Sequence, residues 1–329
     1  MTKLMIYGAA GYTGRMVSAN AEAAGIDLVV AGRPQGAERI AALAAELRCD
    51  FRLFAADDEI AREEALSDIA VLLNCAGPYK YTAEPLMRAC LATKVHYLDI
   101  AAELDSYRLA ERLDSEATSA GVMLLPGSGG SVAMLGSLAG HAAKRVSRPH
   151  RLAIALQVAG GFSRGSAISA SENVTTECLR RADNLLTPRD PGEVREFDFG
   201  DGPTACFPVT LPDLITIWRT TDIPNIETYI HVTAGTFPEG ELADMPDGPT
   251  LQDREANRYH AAVEVTGKSG AESRSVLDTV NGYTFTTLAA AEAARRVLAG
   301  ESRPGFQTPT GLFGDGFAET IADTRIVDL

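Results

Sequence analysis

Gly8, Gly11 and Gly14 follow directly on the apolar run Leu4–Tyr7 and open a helical pattern that continues to about Ala24. No other feature restricts the chain so strongly. Glycines at these points permit a tight turn, let backbone approach a pyrophosphate, and bring the helix against the strand. The helix N-terminus then offers free amides and a positive dipole end to an anion. The spacing is G-x-x-G-x-x-G rather than the stricter G-x-G-x-x-G. Its weight therefore comes from its place at the head of a strand–helix–strand series. Gly8, Ala10, Gly11, Tyr12, Thr13 and Gly14 are the candidate cofactor-binding positions here.

The series is regular. Leu28–Ala31 repeats the apolar run, and the helix after it carries Ile40, Leu43, Ala44 and Leu47 at i, i+3, i+4, i+7. Phe51–Phe54, Ala70–Asn74, Val95–Ile100 and Val122–Leu125 supply four more strands. Strands apolar throughout, rather than alternating, fit a sheet covered on both faces. Right-handed crossovers then give a doubly wound parallel sheet.

After Leu125 the pattern changes. Ser131 to about Ala143 reads as a helix packed closely through Gly136 and Gly140. Strands are expected at Leu152–Ala159, Val194–Phe199, Glu227–Thr233 and Ala261–Thr266, with a turn at 267–270 leading to Ser275–Val280. A helix is expected over Ser169–Leu186, a surface excursion over 236–256, and a helix over Thr284–Ala299 stopped by Gly300. The predicted fold class is α/β, a Rossmann doubly wound parallel sheet plus a second α+β domain. The expected boundaries are 1–129 for the nucleotide domain, with 284–329 packing back on it, and 130–283 for a substrate and dimerisation domain.

Composition narrows the function. Three hundred and twenty-nine residues suggest about two domains. Thirty basic against 44 acidic residues leave a net charge of -14, which repels nucleic acid and anionic membrane at long range. Five scattered cysteines without a C-x-x-C pair argue against zinc or a disulfide framework and for a reducing, cytoplasmic compartment. Residues 117–143 carry no Asp, Glu, Lys or Arg, a length that spans a bilayer. Pro126 with Gly127, Gly129 and Gly130 breaks them into a buried strand, a turn and a buried helix.

The tip of the second strand selects the dinucleotide. NAD sites place Asp or Glu there, whereas an Arg suits the 2'-phosphate of NADP. Here the strand ends Ala31-Gly32-Arg33, with Asp27 at its other end and Arg39 a second candidate further on. NADP is expected above NAD. Cys75, Ala76, Gly77 and Pro78 follow the fourth strand, where backbone can approach the nicotinamide ribose. Cys75 reads as a small buried residue rather than a nucleophile, having no basic neighbour. Tyr79, Lys80, Asp99 and Glu103, at the same sheet edge, are the catalytic candidates. For Asp99 and Glu103 the alternative is a helix N-terminal charge.

These residues resemble the saccharopine dehydrogenase-like oxidoreductases, a family that includes trans-acting enoyl reductases. The resemblance rests on Gly8–Gly14, Ala31-Gly32-Arg33, Asn74–Tyr79, Glu84-Pro85-Leu86, Ala89-Cys90, His96–Ile100 with Glu103, and Thr308-Pro309 with Phe313-Gly314. It implies a Rossmann domain, an α+β domain that shapes the substrate pocket and forms a homodimer, and hydride transfer with a nicotinamide cofactor in the cleft between them. Two departures stand out. The Tyr79–Glu84 loop is a residue shorter than usual, and the turn Gly129–Ala133 lacks the family's Asp and Pro. They imply a small-molecule substrate other than saccharopine. Among the arginines of the second domain, Arg164, Arg180, Arg181 and Arg219, none has diagnostic spacing; Arg219 is the candidate anion contact, with Ser163 and Arg164 beside a Gly-rich turn.

Three other functions compete. No tyrosine has Lys four residues on, which excludes the short-chain dehydrogenase mechanism. Gly161-Phe162-Ser163-Arg164-Gly165 satisfies the G-x-S-x-G of a serine hydrolase, with His231 or His260 as base. A protein that binds NADP(H) as a sensor, without chemistry, is the third. Hydride transfer asks little of the protein beyond orientation, because the cofactor carries the reactive atom.

Overall fold

In the computed structural model, residues 3–173, 177–233 and 245–329 are described here. The chain divides into two units, Met1–Gly129 with Thr286–Gln307, and Gly130–Phe285 with Thr308–Leu329. The first begins with β1 (Lys3–Tyr7), α1 (Tyr12–Ala23), β2 (Leu28–Gly32), α2 (Ala37–Leu47), β3 (Asp50–Leu53) and α3 (Glu59–Leu66). It continues with β4 (Ile69–Asn74), α4 (Tyr79–Thr93), β5 (His96–Asp99), α5 (Leu104–Ala120) and β6 (Met123–Leu125). All pairings are parallel, and the spatial order is β3-β2-β1-β4-β5-β6. That is the Rossmann order, and it places a topological switch point between β1 and β4.

The apolar runs explain the layer. Leu4, Met5 and Ile6 are fully buried and pair with Leu28, Val29 and Val30 on one side and Val71, Leu72 and Leu73 on the other. Ile40, Leu43 and Ala44 are the buried residues of α2, as their spacing requires. β3 departs from the expectation of full burial: it is the edge strand, and Phe51 is 46% exposed.

The second unit begins with α6 (Gly130–Ala143), β7 (Pro149–Val158), α7 (Arg164–Asn173), β8 (Leu179–Ala182), β9 (Leu185–Pro188) and β10 (Arg195–Asp198). There follow β11 (Pro203–Pro208), α8 (Asp213–Thr221), β12 (Asn225–Val232), α9 (Leu251–Ala256), β13 (Tyr259–Gly267) and β14 (Glu272–Thr279). α10 (Gly282–Leu298), from Thr286 on, and β15 (Gly305–Phe306) belong to the first unit, and α11 (Pro309–Phe313) and β16 (Arg325–Asp328) to the second. The mixed sheet runs β10-β11-β12-β7-β13-β14-β16, with β8 and β9 attached beside β12. β15 instead extends the Rossmann sheet beside β6.

The charge-free stretch resolves as its glycines and proline dictate: β6, a turn at 126–129, and a helix α6 buried along nearly its whole length. A Cβ on Gly136 would stand 2.5 Å from Thr310 Oγ1, and one on Gly140 2.5 Å from Asp315 Oδ1, so these glycines set how closely α6 packs. Among the described residues no helix is long and apolar enough to cross a membrane.

Three expectations are corrected. The helix expected over Ser169–Leu186 is α7, which ends at Asn173, followed by the β8–β9 hairpin; residues 174–176 lie outside those described. Asp183 and Asn184, both at positive φ (47° and 69°), form its two-residue turn, which small polar residues tolerate. Of the excursion at 236–256, residues 236–244 are outside those described, and Thr250 caps the short α9 through a reciprocal pair with Asp253. Residues 308–329, expected with the first unit, group with the second, because β16 pairs antiparallel with β14.

Candidate functional site

The carboxyl edge of the Rossmann sheet collects the turn 8–11, the tip of β2, and the segments after β4, β5 and β6. Gly8 has φ +79°, and a Cβ there would lie 2.8 Å from the Ala76 nitrogen. A Cβ on Gly14 would meet the Gly8 carbonyl oxygen at 2.3 Å. The turn is thus closed on both sides by backbone. Gly8 and Ala9 amides donate to the Ala31 carbonyl, and Gly11 to that of Gly8. α1 starts at Tyr12, and Gly11 at its N-cap makes no side-chain cap.

Arg33 is exposed at the tip of β2, with no carboxylate at that position. Arg39 reaches back from α2 and donates to the Ala10 carbonyl at 2.6 Å. Arg39 is thus fixed to the glycine turn, and Arg33 follows the strand whose Ala31 carbonyl holds the same turn. An acceptor-only phosphate suits such planar donors better than a pair of ribose hydroxyls.

The four catalytic candidates share this edge and differ in state. Tyr79, at the first turn of α4, is buried and gives its O–H to the Asn74 carbonyl at 3.3 Å. Burial, reinforced by Cys75, Asp99 and Glu103, raises its pKa well above the ordinary phenol value, which makes it a poor proton donor near neutrality. Lys80 is exposed, its ammonium 4.7 Å from the Tyr81 ring centroid. Asp99 is fully buried and already accepts the amides of Ala101 (2.9 Å) and Gly127 (2.8 Å) and the Tyr97 hydroxyl (2.9 Å). Burial lifts it to about 7, against the pull of those three bonds. Glu103 caps the start of α5 and takes the Ala102 amide on Oε2 at 2.9 Å. Its Oε1 is buried without a hydrogen-bond partner among the described residues. Of the four, Glu103 alone keeps an oxygen uncommitted.

Cys75, Ala76, Gly77 and Pro78 form the segment after β4. Burial pushes the Cys75 thiol far up, with Asp99 adding to the rise, so it is not a thiolate. The turn after β6 carries Gly129 because a Cβ there would strike the Thr286 carbonyl of α10 at 2.5 Å.

Ser163, Arg164 and Arg219 belong to the second unit. Ser163 precedes α7 and accepts the Ser166 amide (3.1 Å) while donating to Ser166 Oγ (3.0 Å), which is N-cap geometry. His231 Nδ1 instead meets the Ala205 carbonyl and His260 pairs with Asp278. Ser163 therefore has no histidine base, and the hydrolase constellation is absent among the described residues. Arg164 gives two bonds to the Met245 carbonyl and pairs with Asp247, so it fastens that segment. Arg219 sits exposed on α8, beyond a run of buried residues from Asp213 to Ile217. Sequence reasoning missed Asn74 and Tyr97 as buried polar partners of this edge, although a polar residue within an apolar strand was the available signal.

Fold, glycine turn and switch point define a dinucleotide-binding Rossmann domain. Residues 4–125 match the family model for the saccharopine dehydrogenase NADP binding domain, which bears out the resemblance read from the motifs. The saccharopine dehydrogenase-like oxidoreductase of Rattus norvegicus is 28% identical over 150 residues, 39% of this chain and 34% of that protein. That of Homo sapiens is 26% identical over 149 residues, 38% and 34% respectively. The matched segment spans about a third of these relatives' length. Among solved structures, apo saccharopine dehydrogenase (L-Glu forming) from Saccharomyces cerevisiae superposes with a TM-score of 0.67 at 12% identity, over 99% of this chain and 100% of that one. At that identity the likeness shows a shared fold.

Proposed function

We propose that the protein is an NADP-preferring oxidoreductase that moves a hydride between nicotinamide and a C=N, or an activated C=C or C=O bond, of a small-molecule substrate. The observation that carries this is the sealed Gly8–Gly14 turn with Arg33 and Arg39 beside it and no carboxylate at the tip of β2. Bound there, the dinucleotide supplies or accepts the hydride. The leading amides of α1 would hold the pyrophosphate. Arg33 and Arg39 would hold the 2'-phosphate, and the backbone of 75–78 would be the part that receives the nicotinamide ribose. Reduction of such a bond puts a hydride on one carbon and a proton on the atom at its other end, nitrogen, oxygen or the second carbon. We assign the proton to Glu103, whose uncommitted Oε1 distinguishes it from Tyr79, Lys80 and Asp99.

Thermal unfolding with NADPH, NADP, NADH and NAD tests the reading. NADPH at 100 times its dissociation constant is expected to stabilise the protein by about 2.7 kcal/mol. Arg33→Ala is expected to weaken NADPH about tenfold or more and leave NADH unchanged. Stabilisation by none of the four would overturn the proposal. In an NADPH-oxidation assay against imines, activated enones and carbonyl compounds, Glu103→Gln is expected to lower kcat by about 10²–10⁴, with NADPH affinity unaltered. Wild-type turnover by that variant would remove Glu103 from the chemistry.

A further inference from the structure

We propose that Asn74, Tyr97 and Asp99 form a buried positioning chain that holds three loops of the sheet edge in the shape the nicotinamide half of the cofactor requires. This rests on the dinucleotide reading above. All three side chains are fully buried, so none is placed to touch a substrate. Asn74 Nδ2 donates to the Tyr97 hydroxyl (3.2 Å) and to Thr82 Oγ1 (3.1 Å), and Tyr97 donates to Asp99 Oδ2 (2.9 Å).

Each end of the chain grips a loop. Asn74 Oδ1 accepts the Ala76 amide (3.0 Å) and Thr82 Oγ1 donates to the Ala76 carbonyl (2.7 Å), which fixes the segment after β4. Asp99 Oδ1 takes the amides of Ala101, after β5, and Gly127, after β6. Ser128 closes the same loop with two bonds to the Asp99 carbonyl, from its amide and its hydroxyl, both 2.8 Å. One carboxylate thus ties the ends of β5 and β6, and through Tyr97 and Asn74 the end of β4.

Donation along the chain runs one way, from amide to phenol to carboxylate. A proton on Asp99 Oδ2 would put two hydrogens between that oxygen and the Tyr97 oxygen, and the link would break. The ionised form is the one the chain needs. Burial places its midpoint near neutrality, at about 7, and the Glu103 carboxyl that faces it pushes the same way when ionised. Cys75, Tyr79 and Tyr97, the other titratable neighbours, are all held in their neutral forms by burial.

The test compares NADPH with adenosine 2'-monophosphate, which carries the adenosine and the 2'-phosphate alone. Taking the ratio of the two dissociation constants cancels titration of the phosphate and any loss of Arg33 or Arg39. In wild type the ratio is expected to shift against NADPH by about tenfold from pH 8 to pH 6, as Asp99 takes up its proton. Asp99→Asn is expected to show the acid ratio at every pH. Tyr97→Phe, which keeps the ring packed, is expected to move it the same way by a smaller factor, and it serves if the Asp99 variant fails to fold. A flat wild-type ratio, or variants with the wild-type ratio at pH 8, would overturn the positioning chain while leaving the cofactor assignment standing. Binding of neither compound by wild type would overturn both.

Discussion

Gly14→Ala is expected to lose NADPH affinity by about a hundredfold, equivalent to about 2.7 kcal/mol, and to lower the melting temperature by several degrees. The new methyl would lie 2.3 Å from the Gly8 carbonyl oxygen and 2.9 Å from the Ala9 Cα. Both are backbone atoms, so no side-chain rotation relieves the contact. The helix must back away from the turn, and its leading amides leave the place where the pyrophosphate sits. Overpacking of this kind costs about 1–3 kcal/mol in stability. Gly11→Ala is the graded control, because its Cβ would stand 3.3 Å from the same oxygen and needs only a small adjustment. Calorimetric NADPH binding and thermal melts on both variants decide the matter. Equal affinities for Gly14→Ala and wild type would mean that the turn is structural.

Much of this edge was legible because short-range rules determine it. Leu4–Tyr7, Leu28–Ala31 and Ala70–Asn74 are apolar without interruption, which a strand buried on both faces demands, and the glycines follow at fixed offsets. Pro126 and the adjacent glycines likewise announced where β6 stops and α6 starts. Failures came where tertiary context outweighed local pattern. The helix expected as far as Leu186 gives way to β8, which pairs with β12 and β9. β11 carries Pro at both ends and alternates in burial, which hid an ordinary antiparallel strand.

The site divides along the same line. The glycine turn and Arg33 could be placed from spacing alone. The state of Asp99 could not, since it depends on partners distant in sequence: Gly127, 28 residues on, and, through Tyr97, Asn74, which lies 23 residues before Tyr97. A sequence shows that a carboxylate sits at a strand end. It does not show whether its lone pairs are already taken, and that decides whether the group reacts or holds loops in place.

Asp213 carries the second large expected effect, a stability that falls as pH rises. It lies in the first turn of α8, fully buried, and neither carboxylate oxygen has a hydrogen-bond partner among the described residues. Desolvation raises it to about 7, and only its own backbone amide works against the rise. The sign follows from linkage. A carboxylate near 3.9 in the unfolded chain and near 7 in the folded one binds its proton more tightly when folded. The cost of ionising it is therefore absent below about pH 4, grows through the window between the two values, and is full above about pH 7. Some three units correspond to about 4 kcal/mol. Asp213→Asn has the same shape and no charge, so its stability advantage over wild type is expected to grow by about 2–4 kcal/mol between pH 5 and pH 8. Taking the difference between the two proteins removes the contribution of Asp99, which has the same sign in both. Urea unfolding of both proteins across that range measures it. Parallel stability profiles would show that the Asp213 carboxylate ionises in the folded chain as readily as in the unfolded one. Its burial in α8 would then carry no electrostatic cost.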